Sequence, residues 1–118
     1  MTQGNLAINI RAHLSSAGTV REVKMFGGIG FMLNGNLVAA VSKRGLLLRV
    51  GKERYVEMLT KPGARPVEMR GRTMEGYVFV DPDTLKGRAL KTWLDGASHF
   101  VKTLQPKAKK TTQKGKET

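Results

Sequence analysis

Two sets of residues have types and spacings that could do chemistry: a glycine-rich stretch and a scatter of basic side chains. Residues 24–36, KMFGGIGFMLNGN, hold four glycines in thirteen positions. Glycines at that density can cradle a phosphate, because backbone without Cβ brings its N–H groups close to an anion. A dinucleotide fingerprint, however, sets its glycines between a strand and the start of a helix. Here Gly27, Gly28 and Gly30 run into FMLNGN, which reads as strand and hairpin, and no helix begins there. A P-loop needs Gly-Lys-Ser/Thr after its last glycine, and GKE at 51–53 lacks the hydroxyl. The glycines are therefore assigned to packing. Glycine within a strand marks a bulge or a close backbone approach, so the Gly28/Gly30 side is expected to lie close under a helix or to form a bulge.

The basic residues are candidates for anion or nucleic-acid contact. Arg70 and Arg72 flank Gly71 in EMRGRTM. They could clamp a phosphate or carboxylate with forked donors, and two solvated loop arginines fit the same pattern. Arg49 alternates with Leu48 and Val50, which puts it on a sheet face or edge with Leu47. Residues 105–118, QPKAKKTTQKGKET, add Lys107, Lys109, Lys110, Lys114 and Lys116. Five lysines on a flexible segment can neutralise phosphates but cannot hold fixed donors to base edges, so nucleic-acid binding by this tail is expected to be weak and non-specific.

Other chemistry has little to stand on. His13 and His99 fall on separate helices without ligand spacing, so no metal site is expected. No Gly-x-Ser-x-Gly nucleophile elbow occurs. Asp81 and Asp83 read as helix caps. Phe26, Phe31, Tyr77 and Phe79 sit in core-like strands, so no base-stacking platform is expected. Neither catalytic residues nor a cofactor are assigned, and the chain reads as a non-enzymatic one.

The elements that must position these residues follow from periodicity. Leu6, Ile10 and Leu14 recur at helical spacing within 5–17, with Gly18 as a stop. Residues 21–26 and 28–33 have strand composition. Asn34-Gly35 is a hairpin turn, and 36–42 is the return strand. In that register Phe31 faces Val38 and Ile29 faces Ala40 on one side, while Met32 meets Leu37 and Gly30 meets Ala39 on the other. Lys43-Arg44-Gly45 turns the chain into a strand at 46–50. A helix at 52–60 places Tyr55, Val56 and Leu59 on one side. Residues from Pro62 to Pro66 read as loop and PVEMRGRTM as irregular or a weak strand. GYVFV at 76–80 is a strand. A last helix over 83–104 carries Leu85, Ala89, Leu90, Trp93, Leu94, Ala97, Phe100, Val101 and Leu104, with Gly87 breaking its first turn.

The order is roughly α-β-β-β-α-(β)-β-α. It predicts an α+β fold of two layers, an antiparallel meander of three to five strands with helices packed on it. The chain divides into a folded domain, 1–104, and a disordered basic tail, 105–118. Its length of 118 residues suits one domain with its own core. Absence of cysteine fits a reducing cytoplasm. The longest mostly apolar run, Met25–Leu33, is nine residues, too short to span a bilayer, and the first residues lack signal-peptide character. The net charge of +12 is +8 over 1–104 and +4 over the tail. A field of that size favours polyanions or acidic protein surfaces.

VKMFGGIGFMLNGNLVAAVSKRGLLLRV, residues 23–50, resembles the N-terminal domain of the TfoX/Sxy family. The matching features are the Met-Phe-Gly-Gly block Met25, Phe26, Gly27 and Gly28, then Gly30 and Phe31, the short turn with Gly35, and a Leu-rich strand ending in Arg49-Val50. TMEGYVFVDPDTL at 73–85, followed by a helix with Trp93, is similar to the family's later segment. The resemblance spans roughly residues 4–104. It implies a two-layer α/β fold and does not imply any catalytic residues, and the motif residues are expected to be structural. Full-length members regulate natural competence, acting with the cyclic-AMP receptor protein at promoters, and carry a separate helical C-terminal domain. Here the lysine tail stands in that place, so a stand-alone domain is expected. The resemblance implies a cytoplasmic regulatory module that binds a protein partner near transcription machinery. The charge supports an accessory nucleic-acid binder as the alternative, and a cleft beside the sheet would support a small-molecule binder. No membrane partner is expected. An open sheet edge would allow a homodimer.

Overall fold

The computed structural model describes residues 3–25, 27–85 and 88–105. Helix α1 (Gln3–Ser15) leads into strands β1 (Val20–Met25), β2 (Gly28–Leu33), β3 (Asn36–Ser42) and β4 (Gly45–Arg49). Helix α2 (Lys52–Leu59), strands β5 (Ala64–Met69) and β6 (Arg72–Val80), a 3₁₀ turn (Pro82–Thr84) and helix α3 (Ala89–Lys102) follow. One antiparallel sheet takes all six strands in the order β1-β2-β3-β4-β6-β5. The α+β, sheet-plus-helices expectation holds, with more strands than the three to five expected.

The additional strand is β5. Pro66 lies inside it, and Pro is tolerated in a sheet at an edge, which is where β5 sits. Its hairpin to β6 turns at Arg70 and Gly71, with φ of 53° and 76°. The segment read as irregular is therefore a two-residue turn between paired strands. The Asn34-Gly35 turn is as expected, with φ of 53° and 84°.

The hairpin beyond that turn is offset by one residue. Met32 pairs with Leu37, but Phe31 pairs with Ala39, Gly30 with Ala40 and Ile29 with Val41. Val38 is the extra residue of a β-bulge, so Val38 and Ala39 both enter the core on the helix side. The expected Phe31–Val38 and Gly30–Ala39 pairs do not form.

The main core lies between one sheet face and all three helices. Leu6, Ile10 and Leu14 of α1, Tyr55 and Met58 of α2, and Trp93, Leu94, Ala97 and Val101 of α3 pack on Phe31, Val41, Leu46, Leu48, Val78 and Val80. In α2 the inward residues are Tyr55 and Met58, whereas Val56, expected beside Tyr55, is 73% exposed. Gly18 does not end α1 as a left-handed cap, since the helix stops at Ser15. Its lack of a side chain serves packing, because a Cβ there would lie 2.7 Å from Asn34 Oδ1, the acceptor for the Thr19 amide. Asp81 caps the 3₁₀ turn by accepting the Asp83 N–H at 2.9 Å. Gly87, Phe26 and the tail lysines lie outside the described residues. Among the described residues no helix is long and apolar enough to cross a membrane.

Candidate functional site

The sheet face opposite the helices carries a second apolar cluster. The register aligns Gly30, Ala40, Leu47, Phe79 and Arg65 in one row across β2, β3, β4, β6 and β5. Ala40, Leu47, Phe79 and nearby Val67 are buried, and Met25, Leu37, Met69, Met74 and Tyr77 surround them partly exposed. Every buried apolar side chain of the helices belongs to the main core, and among the described residues no helix residue belongs to this second cluster.

The glycine motif helps to shape it. A Cβ on Gly30 would lie 2.6 Å from the Met25 sulfur, so Met25 folds over Gly30 on the open face. A Cβ on Gly28 would lie 1.8 Å from the Val41 carbonyl oxygen, a backbone atom of β3. The sequence expectation of a helix above these glycines, or a bulge at them, is corrected. Met25 and the β3 backbone occupy that space, and the bulge sits at Val38.

Three arginines line this face. Arg44 places its guanidinium carbon 4.8 Å from the Phe79 ring centroid, and Arg65 places its own 5.4 Å from the same ring. Arg65 Nη2 donates to the Arg44 carbonyl at 2.7 Å. Arg49 lies over Tyr77 at 5.6 Å and over Phe100 at 5.8 Å. Ring faces attract such cations weakly when water is near, by about 0.5–1 kcal/mol. Among the described residues none of these three arginines has a carboxylate within ion-pair distance. A cavity of about 170 Å³ opens beside Arg44, lined by Ala40, Ser42, Leu47, Met69 and Phe79. A second, of about 330 Å³, lies where α2 begins, with Arg49, Lys52, Tyr77 and Phe100 joined by Glu53 and Glu75.

Arg49 thus lies with Leu47 as its alternation indicated. Arg70 and Arg72 stand exposed at the tip of the β5–β6 hairpin, away from Phe79, and are not brought together with Arg49. The expected tail lysines lie outside the described residues. Arg44 and Arg65 were missed. In the sequence Arg44 is a turn residue and Arg65 lies within PGARP, where its alternation with Val67 and Met69 is the one strand signal.

On the helix side a polar cleft of about 440 Å³ separates α1 from α3. Asp95 lies there with Lys91 Nζ at 2.9 Å from its Oδ2 and His13 Nε2 at 2.8 Å from its Oδ1. Lys91 first, then His13, hold the Asp95 carboxyl below the usual carboxylate range. Arg11 pairs with Glu22, donating from Nη2 to Oε1 at 2.9 Å, and holds that carboxyl low as well. His99 lines the same cleft as His13, so the fold brings the two histidines closer than their separate helices suggested. Among the described residues no group of three or more His, Cys, Asp or Glu is placed to hold a metal.

No curated protein matches the chain. The family model of the TfoX N-terminal domain matches residues 12–101, from the second half of α1 to the last turns of α3. That span covers both sheet faces, the glycine motif and the arginine-lined row, and the chain belongs to the TfoX N-terminal domain family.

Proposed function

We propose that this domain is a non-enzymatic protein-interaction module of the cytoplasm, working beside the transcription machinery, and that its open sheet face is the docking surface. The observation that carries the reading is the partly exposed ring of Met25, Leu37, Met69 and Met74 around the buried Leu47–Phe79–Val67 cluster, to which the described helices contribute no buried residue. Apolar patches rimmed by polar residues mark association surfaces, and Met, Tyr and Arg are enriched at interfaces. Methionine adapts its shape to a partner at small cost. The link to transcription follows the family, whose full-length members regulate competence genes.

The net charge of +12 favours a second reading, an accessory nucleic-acid binder. Affinity capture with the full chain, with and without nuclease, separates the two. Protein interaction requires nuclease-resistant capture that Met74→Glu abolishes without lowering the melting temperature. Nuclease-sensitive capture, indifferent to Met74→Glu, would establish nucleic-acid binding and overturn the first reading.

A further inference from the structure

We infer that Arg44 and Arg65 form an oxyanion site on the open face, and that its ligand is a side-chain carboxylate on an acidic segment of the docked partner. This inference rests on the reading of that face as the docking surface. Two like charges converge on one ring: both guanidinium carbons lie within 5.4 Å of the Phe79 centroid. The Phe79 ring face they share supplies no counter-ion to either charge. Among the described residues no carboxylate reaches either group.

Hydrogen bonds hold the Arg65 guanidinium and the Arg44 backbone. Arg65 Nη2 donates to the Arg44 carbonyl, and the Arg44 amide donates to Ser42 Oγ at 3.2 Å. The remaining guanidinium N–H donors have no acceptor among the described residues. Such forks match the two oxygens of a carboxylate.

The cavity beside Arg44 points to the class of ligand. Its lining of Ala40, Ser42, Leu47, Met69 and Phe79 gives an apolar floor, one hydroxyl and no acid. About 170 Å³ suits a carboxylate on a short aliphatic stem better than a nucleotide. An apolar floor also rewards an acidic residue flanked by hydrophobic ones, which a phosphodiester backbone does not offer. The Arg49 cavity differs, since Glu53 and Glu75 line it too. The cleft between α1 and α3 likewise carries its own carboxylate, Asp95.

The test is fluorescence anisotropy with a labelled peptide alternating Glu and Leu, its counterpart with Gln for Glu, and inorganic phosphate as competitor. Arg44→Gln/Arg65→Gln should weaken Glu-peptide binding by about tenfold or more, as losing partners of a charged contact does. Arg70→Gln/Arg72→Gln removes the same charge elsewhere and should leave binding within about twofold, because exposed distant charges are screened. Arg44→Lys/Arg65→Lys keeps the charge and loses the fork, so it should fall between. The Gln peptide should not bind. Equal losses in the two Gln double variants would mean diffuse attraction and overturn the site. Full displacement by phosphate at concentrations comparable to the peptide would make a free oxyanion the ligand and overturn the acidic segment. If Met74→Glu abolishes partner capture while Arg44→Gln/Arg65→Gln leaves it intact, the docking face stands and this inference fails.

Discussion

Gly28 and Gly30 lie two residues apart in β2, yet one added methyl should cost far more at the first than at the second. In Gly28→Ala the new carbon would sit 1.8 Å from the Val41 carbonyl oxygen, where ordinary contact begins at 3.4 Å. The obstacle is backbone of the adjacent strand, so no rotamer relieves it. Strands β2 and β3 must separate by more than an ångström near the Ile29–Val41 pair. Overpacking of this kind costs about 1–3 kcal/mol, and a ladder hydrogen bond lost with it adds about 1 kcal/mol. The sum, about 2–4 kcal/mol, is a large share of a typical domain stability and should lower the melting temperature by roughly 10 °C or more. In Gly30→Ala the obstacle is the Met25 side chain, its sulfur 2.6 Å and its terminal carbon 2.9 Å away. A thioether with three rotatable bonds can swing aside into solvent, at a cost of about 1 kcal/mol or less. Circular-dichroism melts of both variants decide the matter. A Gly28→Ala protein melting within a few degrees of the parent, or below which Gly30→Ala falls, would refute the packing account of the motif.

Trp93→Ala should cost about 3–5 kcal/mol by opening a cavity between α3 and the sheet, since Trp93 is only 4% exposed. The parent protein should show the blue-shifted emission of a buried indole. Gly35→Val should cost about 1–2 kcal/mol, because Gly35 holds φ 84° in the hairpin turn, and an unchanged urea midpoint would count against that turn. The depressed carboxyls of Asp95 and Glu22 stabilise the fold above the ordinary carboxylate range near pH 4. That stabilisation is lost as pH falls through their lowered folded values. Asp95 is half exposed, so Asp95→Asn should remove no more than a few tenths of a kcal/mol near neutrality. It should flatten the acid limb of a stability–pH curve, and a steeper limb would contradict the sign.

Local periodicity made the helices and most strands legible. Leu6, Ile10 and Leu14 mark α1, and the Asn34-Gly35 dipeptide marks its hairpin, because the physics that sets them acts over a few residues. Strand β5 was obscured by Pro66, whose meaning depends on whether a strand is central or at an edge, and that depends on the whole sheet. The Val38 bulge is a tertiary choice of the same kind, since it turns two successive side chains toward the helices. The candidate site was the least legible part. Arg49 could be placed by alternation with its neighbours. Arg44 and Arg65 meet only because β6 inserts between β4 and β5, so that Phe79 stands next to Arg65 and opposite Leu47. No spacing along the chain records that insertion. At Gly28 and Gly30 the crowding neighbours, the Val41 carbonyl and Met25, become visible only with the strands paired, whereas Gly27 has open space around it and a left-handed φ of 73°.

Site-specific photo-crosslinking tests the docking claim most directly. A photoreactive residue replaces Met74 on the open face, Met69 beside the Arg44 cavity, or Val56, exposed on α2 on the helix side. Each protein is irradiated with the same nuclease-treated extract. The account expects one discrete crosslinked partner from positions 74 and 69, and none from 56. The same partner captured from position 56, with none from 74 and 69, would place the interface on the helices and contradict it.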